Sequence, residues 1–512
     1  MSGKPYKIGE NATLGRYLVA TRDILAGESI IDELPIVTGP ICDQLKIIPG
    51  EVGSCLVCCV KMFQSTYVCT ICGLTLFCSE PCGKDESHLA QECKVIQKLM
   101  VRTTLKFPSA KELHNFVLVI RCLLCRVQCE SKWSQIQTLE SKVNELEKLG
   151  AFKEISPLFD LLNWEDFDFD STESITDLAK HCLGAMITNA FSIFLPSFSR
   201  QGLYFLSSYM SHSCRMNTDR QLHPKKDGRM VTRAARLIQA GEPITTSYLA
   251  CLSGTHERWV ETTTGWRFTC RCDRCTNSEH EVGTHVSTIR CPRCGELSLC
   301  PSVKISGEDG LNWACVGQNK SCNYGIVQLN YADTTDETFP WKIVQYMENM
   351  KPKDVNNLDE VEAWLDKYCD KCDDKDRLIH KDHCLFIQVK LYLLQCYGRN
   401  LEGGITSLDN VRLVRKLNYC EDVLKIVDIL FKGLYEMRGV ILFEMWLSLR
   451  EIRQRQENCQ LASYTDENNQ FVDTSDAKLS KISHDSVEIL KYSFPDSQEA
   501  LMLEIMQNYY SQ

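Results

Sequence analysis

Cys55 and Cys58 form a C-x2-C pair and Cys69 and Cys72 form another, and Cys78, Cys82, His88 and Cys93 follow in the same short stretch. Structural zinc takes four Cys or His ligands in a tetrahedron, so these side chains suffice for two ions. The stretch has few periodic apolar positions for a core of its own, and metal binding would supply its folding free energy. Cys59 adjoins the first pair and reads as a spare. Downstream, Cys270, Cys272 and Cys275 offer three thiolates in C-x-C-x2-C spacing and need a fourth ligand from elsewhere. Cys291 and Cys294 start a further group whose second pair, Cys315 and Cys322, is C-x6-C and too loose for a tight knuckle. Zinc and plain loop thiols both stay open there. Cys122, Cys125 and Cys129 recur at helical spacing and read as core thiols.

The chain holds 29 cysteines in 512 residues. In a secreted protein that number would suggest disulfides, yet MSGKPYKIGENATLGR at the N-terminus has no apolar core of signal-peptide length. An intracellular chain, cytoplasmic or nuclear, is therefore expected, with its clustered cysteines as thiolate ligands. FVLVIRCLLCRV, from Phe116, is interrupted by arginine and too short to span a bilayer, so no membrane partner is expected. A net charge of −10 argues against direct nucleic-acid binding, and an acidic surface would suit a lysine-rich partner. No Walker loop, Ser-His-Asp order or paired-carboxylate pattern stands out.

The elements that must position these residues follow from periodicity. Leu14 to Pro40 reads as short strands and turns. From about Cys93 to Phe191 apolar residues recur at three- and four-residue steps, as in a helix. Strand-like segments return between Gly202 and Tyr248, and helical periodicity dominates beyond about Phe339, with short connections that predict an antiparallel helical array. Polar stretches at about 351–360 and 455–478 read as loops. NWEDFDFDSTES, from Asn163, reads as a solvated acidic loop, and His380 and His383 as solvated or capping groups.

The order C-x2-C, C-x2-C, C-x3-C, His, Cys resembles a MYND finger, apart from a final His-x4-Cys where that family usually has three intervening residues. The resemblance implies interleaved ligands: Cys55, Cys58, Cys78 and Cys82 for one zinc, Cys69, Cys72, His88 and Cys93 for the other. It also implies a surface for peptide partners. GRYLVATRDILAGESI, from Gly15, resembles the first strand pair of a SET domain. SSYMSHSCRMNT, from Ser207, is similar to the SET signature, usually Asn-His-Ser-Cys and then Pro-Asn. AGEPITTSYL, from Ala240, resembles the segment that ends in the SET active-site tyrosine. In this order, and followed by RFTCRCDRC, they are specific. What the resemblance implies is Cys214 as fourth ligand to Cys270, Cys272 and Cys275, and Tyr248 as the catalytic tyrosine. It further implies an S-adenosyl-L-methionine site at Gly15, Arg16, Tyr17, Asn189, Ser211, His212, Tyr248 and Phe268.

Almost the entire chain resembles the SET-and-MYND family, more narrowly its arthropod SmydA-type branch, through RKLNYCEDVL, RGVILFEMW and EILKYSF in the C-terminal helices as well. The fold class so implied is α+β: a split SET β-fold with an inserted MYND zinc finger and a helical insertion, a post-SET zinc site and an all-α, TPR-like C-terminal domain. The expected boundaries are 1–50 for the first SET half, 51–94 for the MYND finger and 95–195 for the helical insertion. The SET core follows at 196–255, the post-SET and Cys-rich segment at 256–330 and the helical domain at 331–512. The implied function is lysine N-methylation of a histone or other protein by a monomer. Transfer of a methyl group from a sulfonium to an amine asks for alignment in a dry channel rather than acid–base machinery. Tyr17 stands where many members have a second glycine, Ser211 replaces the signature asparagine and Met216 its proline. Those three departures support the alternative, a catalytically weak SET-MYND scaffold that recruits partner proteins.

Overall fold

The computed structural model describes residues 3–12, 14–41, 53–62, 67–103, 107, 109–195, 198–223, 228–277, 283–305, 307–318, 321–329, 340–349, 357–399, 403–458 and 472–511. Strand β1 (Tyr6–Asn11) pairs antiparallel with β2 (Gly15–Ala20), one strand earlier than the periodicity predicts. β1 is almost wholly solvated, so it carries no apolar alternation to read. β3 (Ser29–Glu33) and β4 (Val37–Pro40) complete the first half. Among the described residues of the Cys-rich stretch the strands are two residues long: β5 (Gly53–Ser54), β6 (Lys61–Met62), β7 (Tyr67–Val68) and β8 (Leu76–Phe77).

The second half supplies β9 (Ala190–Leu195), β10 (Phe198–Leu203), β11 (Ser211–His212), β12 (Thr218–Leu222), β13 (Met230–Ala234) and β14 (Thr245–Thr246). β9 thus begins inside the stretch expected to be helical insertion. β10 lies between β4 and β9, and β13 lies between β12 and β3. Single bridges join Val19 to Pro243 and Ile24 to Ile238. Neither half can finish these two sheets alone, so the β-fold exists only when distant segments meet. Its core is small, with Leu18, Ile24, Ile30 and Ile31 against Met210, Ala234, Ile238 and Ile244.

Between the halves run helices α1 (Glu92–Arg102), α2 (Ala110–Gln128) and α3 (Ile175–Asn189). α2 is buried along nearly its whole length, and β4 lies on it so closely that a Cβ on Gly39 would sit 2.8 Å from Leu118 Cδ2. Cys122 and Cys125 are core thiols as expected, whereas Cys129 ends the helix half-exposed. The acidic run is not a solvated loop. Asn163 caps a tight helical turn, Trp164–Phe167, whose Trp164 and Phe167 are buried, and Asp166 pairs with Arg102 at 2.6 Å. Aromatic residues spaced between the acids give that segment an apolar side.

Beyond the second half, β15 (Ile289–Arg290), β16 (Leu297–Val303), β17 (Leu311–Cys315) and β18 (Gly325–Gln328) form an antiparallel meander in the Cys-rich segment, where no strands were predicted. Helices α4 (Cys384–Cys396), α5 (Asn410–Leu430), α6 (Glu436–Glu457) and α7 (Asp476–Leu490) then pack each on the next. The expected loop at 351–360 ends in a helix, Leu358–Leu365, and that at 455–478 has helix at both ends; 351–356 and 459–471 lie outside the described residues. His383 caps α4 by accepting from Leu385 N at 3.2 Å and is buried, while His380 stacks on His285 at 4.0 Å. Among the described residues no helix is long and apolar enough to cross a membrane.

Candidate zinc centres and active-site cleft

Thiolates at about 2.3 Å from a tetrahedral zinc are separated from one another by about 3.8 Å. Cys55, Cys58, Cys78 and Cys82 converge with Cys58–Cys78 at 3.4 Å and Cys78–Cys82 at 3.7 Å. Cys69, Cys72, His88 and Cys93 form a second, fully buried set, with Cys69–Cys93 at 3.7 Å. The interleaved arrangement is therefore the observed one, and Cys59 stays outside it. His88 fits as a ligand because its other nitrogen is spoken for: Nδ1 lies 2.9 Å from Glu92 Oε1, leaving Nε2 turned toward the cysteines. Glu92 in turn accepts from Arg121 Nη2 at 2.6 Å and Nε at 2.9 Å, and Arg121 Nη1 donates to Thr38 O of β4 at 2.7 Å. One chain of hydrogen bonds thus runs from this cluster to the split sheet.

Cys214 meets Cys270 at 3.9 Å and Cys275 at 3.5 Å, and Cys272 completes the set. Two buried arginines lie against it. Arg258 Nη2 approaches Cys275 Sγ at 3.7 Å, and Arg274 donates to the carbonyls of Cys251 and Ser253 at 2.9 and 3.0 Å. Four thiolates on a divalent ion leave net negative charge in the interior, and buried guanidiniums are the groups that offset it. The donor set fits zinc.

His212 links this cluster to Tyr248. Its Nδ1 accepts from Tyr248 N at 3.0 Å, so the remaining nitrogen, Nε2, faces Cys214 Sγ at 3.2 Å. Burial pushes its pKa down to about 4. Tyr248 donates its hydroxyl proton to Met210 O at 2.7 Å, and burial pushes its pKa up to about 12. Its ring packs on Trp266 at 4.7 Å and on Phe268 at 6.3 Å. Tyr248 and Trp266 line a cleft of about 1060 Å³, with Asn189, Phe191, Ser208 and Arg220 also on its wall. Arg220 lies half-buried over the Phe191 ring at 4.9 Å and donates to Thr246 Oγ1 at 3.0 Å; desolvation lowers its pKa.

Of the predicted cofactor residues, Asn189 and Tyr248 line the cleft, and His212 and Phe268 back Tyr248. Asn189 is fixed by donating to Glu140 O at 2.7 Å and Ala185 O at 2.8 Å. Gly15, Arg16, Tyr17 and Ser211 are not on the cleft wall. Gly15 takes φ +64° with open space where a Cβ would be. Arg16 lies over the Tyr209 ring at 5.3 Å and donates to Thr138 O, and the Tyr17 ring rests on Gly9 of β1. Ser211 Oγ is buried without a hydrogen-bond partner. Arg220 and Trp266 escaped the sequence reading. WRF before the C-x-C-x2-C run was a visible signal for Trp266, but nothing local marks Arg220.

Asn217 ties the signature loop to β14, accepting from Thr245 N at 2.8 Å and donating to Pro243 O at 2.8 Å. A sheet split around two insertions, threaded this way and closed by a four-cysteine set behind a half-buried tyrosine, defines a SET-type fold. A family model for the SET domain matches residues 15–249, and over that stretch the chain is similar to SET domains. It is 28% identical over 317 residues to SET domain-containing protein SmydA-8, isoform A, of Drosophila melanogaster, covering 61% of this chain and 64% of that one. It is 26% identical over 341 residues to histone-lysine N-methyltransferase SET5 of Candida glabrata, covering 59% and 63%. A SET and MYND domain-containing protein of Dictyostelium discoideum is 25% identical over 345 residues, covering 55% and 83%. The chain thus spans less than two thirds of the length of the first two relatives.

Proposed function

We propose that this chain is an S-adenosyl-L-methionine-dependent protein-lysine N-methyltransferase, in the SmydA-type branch to which its Drosophila relative belongs. The observation that carries the reading is Tyr248, held by Met210 O and His212 on the wall of an aromatic cleft. When bound, S-adenosyl-L-methionine would supply a sulfonium methyl for in-line transfer to an amine. Two features fit such a ligand. The buried Ser211 hydroxyl lacks a partner, an unmade bond that costs about 1–3 kcal/mol until a ligand supplies one. Gly15 holds a left-handed φ of +64° with nothing within 4 Å of a Cβ position, so its backbone is open to close approach.

In this reading Tyr248 is the catalytic residue and orients rather than titrates. A hydroxyl with its pKa near 12 stays protonated, and with that proton committed to Met210 its lone pairs face the reacting groups. Arg220 has a role of its own. A half-buried guanidinium on the cleft wall disfavours a second cation, so a lysine entering beside it would shed its proton and arrive as the neutral nucleophile. Phe268 and Trp266 exclude water. The substrate would be an exposed lysine on a histone or another protein, the first zinc pair would present the finger to peptide partners, and the protein would act as a monomer. Thiolate sites require reduced cysteines, which suits the cytoplasm or nucleus.

A specific observation supports the scaffold reading instead: Arg16 and Tyr17 pack on the protein itself and not on the cleft. Isothermal titration of the zinc-loaded protein with S-adenosyl-L-methionine separates the two, with Tyr17→Gly/Ser211→Asn alongside. Micromolar binding by the natural sequence, followed by methylation of lysine peptides, supports the enzyme. No binding until both positions are restored would make it a scaffold.

A further inference from the structure

Outside the three cysteine clusters already described, Cys291, Cys294, Cys315 and Cys322 come together at the end of the β15–β18 meander. Cys291–Cys322 is 3.8 Å and Cys294–Cys315 is 3.7 Å, and all four sulfurs lie within 4.8 Å of one another. These are again the edges of a tetrahedron about a zinc ion. The β15–β16 and β17–β18 connections, which carry Cys291 and Cys294 and lead from Cys315 to Cys322, lie at the same end of an antiparallel meander, which is why a spacing too loose for a knuckle still converges.

The backbone makes a second, independent match. In the first finger, Cys59 N donates to Cys55 O at 2.9 Å and Gly73 N to Cys69 O at 2.9 Å. The residue after each second cysteine, Cys59 and Gly73, is left-handed, at φ 62° and 69°. Gly295 repeats both features, donating to Cys291 O at 2.9 Å with φ 76°. The loop from Cys291 to Gly295 is the same turn as the two that present C-x2-C pairs in the finger.

We propose that Cys291, Cys294, Cys315 and Cys322 bind a fourth zinc ion that braces this meander as a structural ribbon. The ion cross-links the first and third turns. The second turn, at the opposite end, grips the segment that carries Phe268 and the Cys214 cluster. There Asp309 accepts from Thr269 Oγ1 at 2.7 Å and Arg271 Nη2 at 2.9 Å, and Ile305 O accepts from Arg271 at 2.6 Å. The proposal stands whether or not the chain methylates lysine.

Native mass spectrometry of the full-length, zinc-loaded protein tests it without any substitution. Four zinc ions per chain are expected, and three would overturn the proposal. In Cys291→Ser/Cys294→Ser the count should fall from four to three, and an unchanged count would assign the fourth ion elsewhere. Should that variant not fold, iodoacetamide labelling of the natural protein gives the same answer. Cys294, Cys315 and Cys322 are partly exposed, so as free thiols they would label at once. Protection of all four until a chelator is added, then labelling together, is the expected pattern. Immediate labelling of those three would refute it.

Discussion

Glu92→Gln should loosen the second finger site and unseat the finger from the sheet at once. The carboxylate is wholly buried and accepts from His88 Nδ1 and from both Nη2 and Nε of Arg121. Glutamine keeps the shape but holds one acceptor. Whichever way its amide turns, the NH2 group faces either Arg121 Nε or the pair formed by Nη2 and His88 Nδ1. Hydrogen bonds to charged groups contribute about 1.5–3 kcal/mol each, and a buried guanidinium stripped of its partner raises the cost to roughly 3–5 kcal/mol. Loss of the group orienting a ligating histidine should weaken zinc binding about 10- to 100-fold. A chromophoric chelator titrated against both proteins reads this directly, and one zinc equivalent should leave the variant at correspondingly lower chelator concentration. Glu92→Gln/Arg121→Met removes the donor conflict and should hold its zinc better than the single variant. If the single variant releases zinc as the natural protein does, or if the two substitutions merely add, the network carries no coupling and the argument fails.

Tyr248→Phe should lower methyl transfer by about 100-fold while the protein binds S-adenosyl-L-methionine as before, since only the oriented hydroxyl is lost; a peptide methylation assay with parallel titration checks both. Gly433→Ala should undock the C-terminal helices from the SET core, at a cost of roughly 1–3 kcal/mol, because φ is +146° and the new Cβ would sit 2.3 Å from Ala235 O. Faster proteolytic release of the helical region would report it. Burial raises the pKa of Asp219 to about 7, and burial together with the charges of Asp219 and Glu499 raises that of Glu436 to about 8. Such carboxyls hold protons in the folded state that the unfolded chain has lost. The stability they contribute is complete below their ordinary range and drains as pH climbs through about 7–8. Tm should therefore fall across that window, and Glu436→Gln should flatten the fall. Lys416→Met takes from the buried Glu444 one of its two cationic partners, at 2.7 Å, leaving Arg399 at 2.8 Å, and should cost roughly 1.5–3 kcal/mol in a denaturant melt.

What could be read from the chain by itself was chemistry whose parts are close in sequence and whose residue types have few other uses. The finger ligands, the C-x-C-x2-C run and the amphipathic stretches that became α2, α5 and α6 are local patterns, and each folded as its spacing required. The split sheet, Tyr248 and Cys214 were reached through short motifs that resemble a family. Nothing in their composition announces that β4 pairs with β10, or β3 with β13, some 160 to 200 residues away. Tertiary structure alone decided three things. It turned a loose C-x6-C into the closing half of a tetrahedron, because antiparallel pairing brings the two turns together. It set Arg220 on the cleft wall, where charge rather than motif makes it matter. It withdrew Arg16 and Tyr17 from the cleft, because strand register and a facing glycine direct their side chains elsewhere, and register is a property of the folded sheet that no single segment contains.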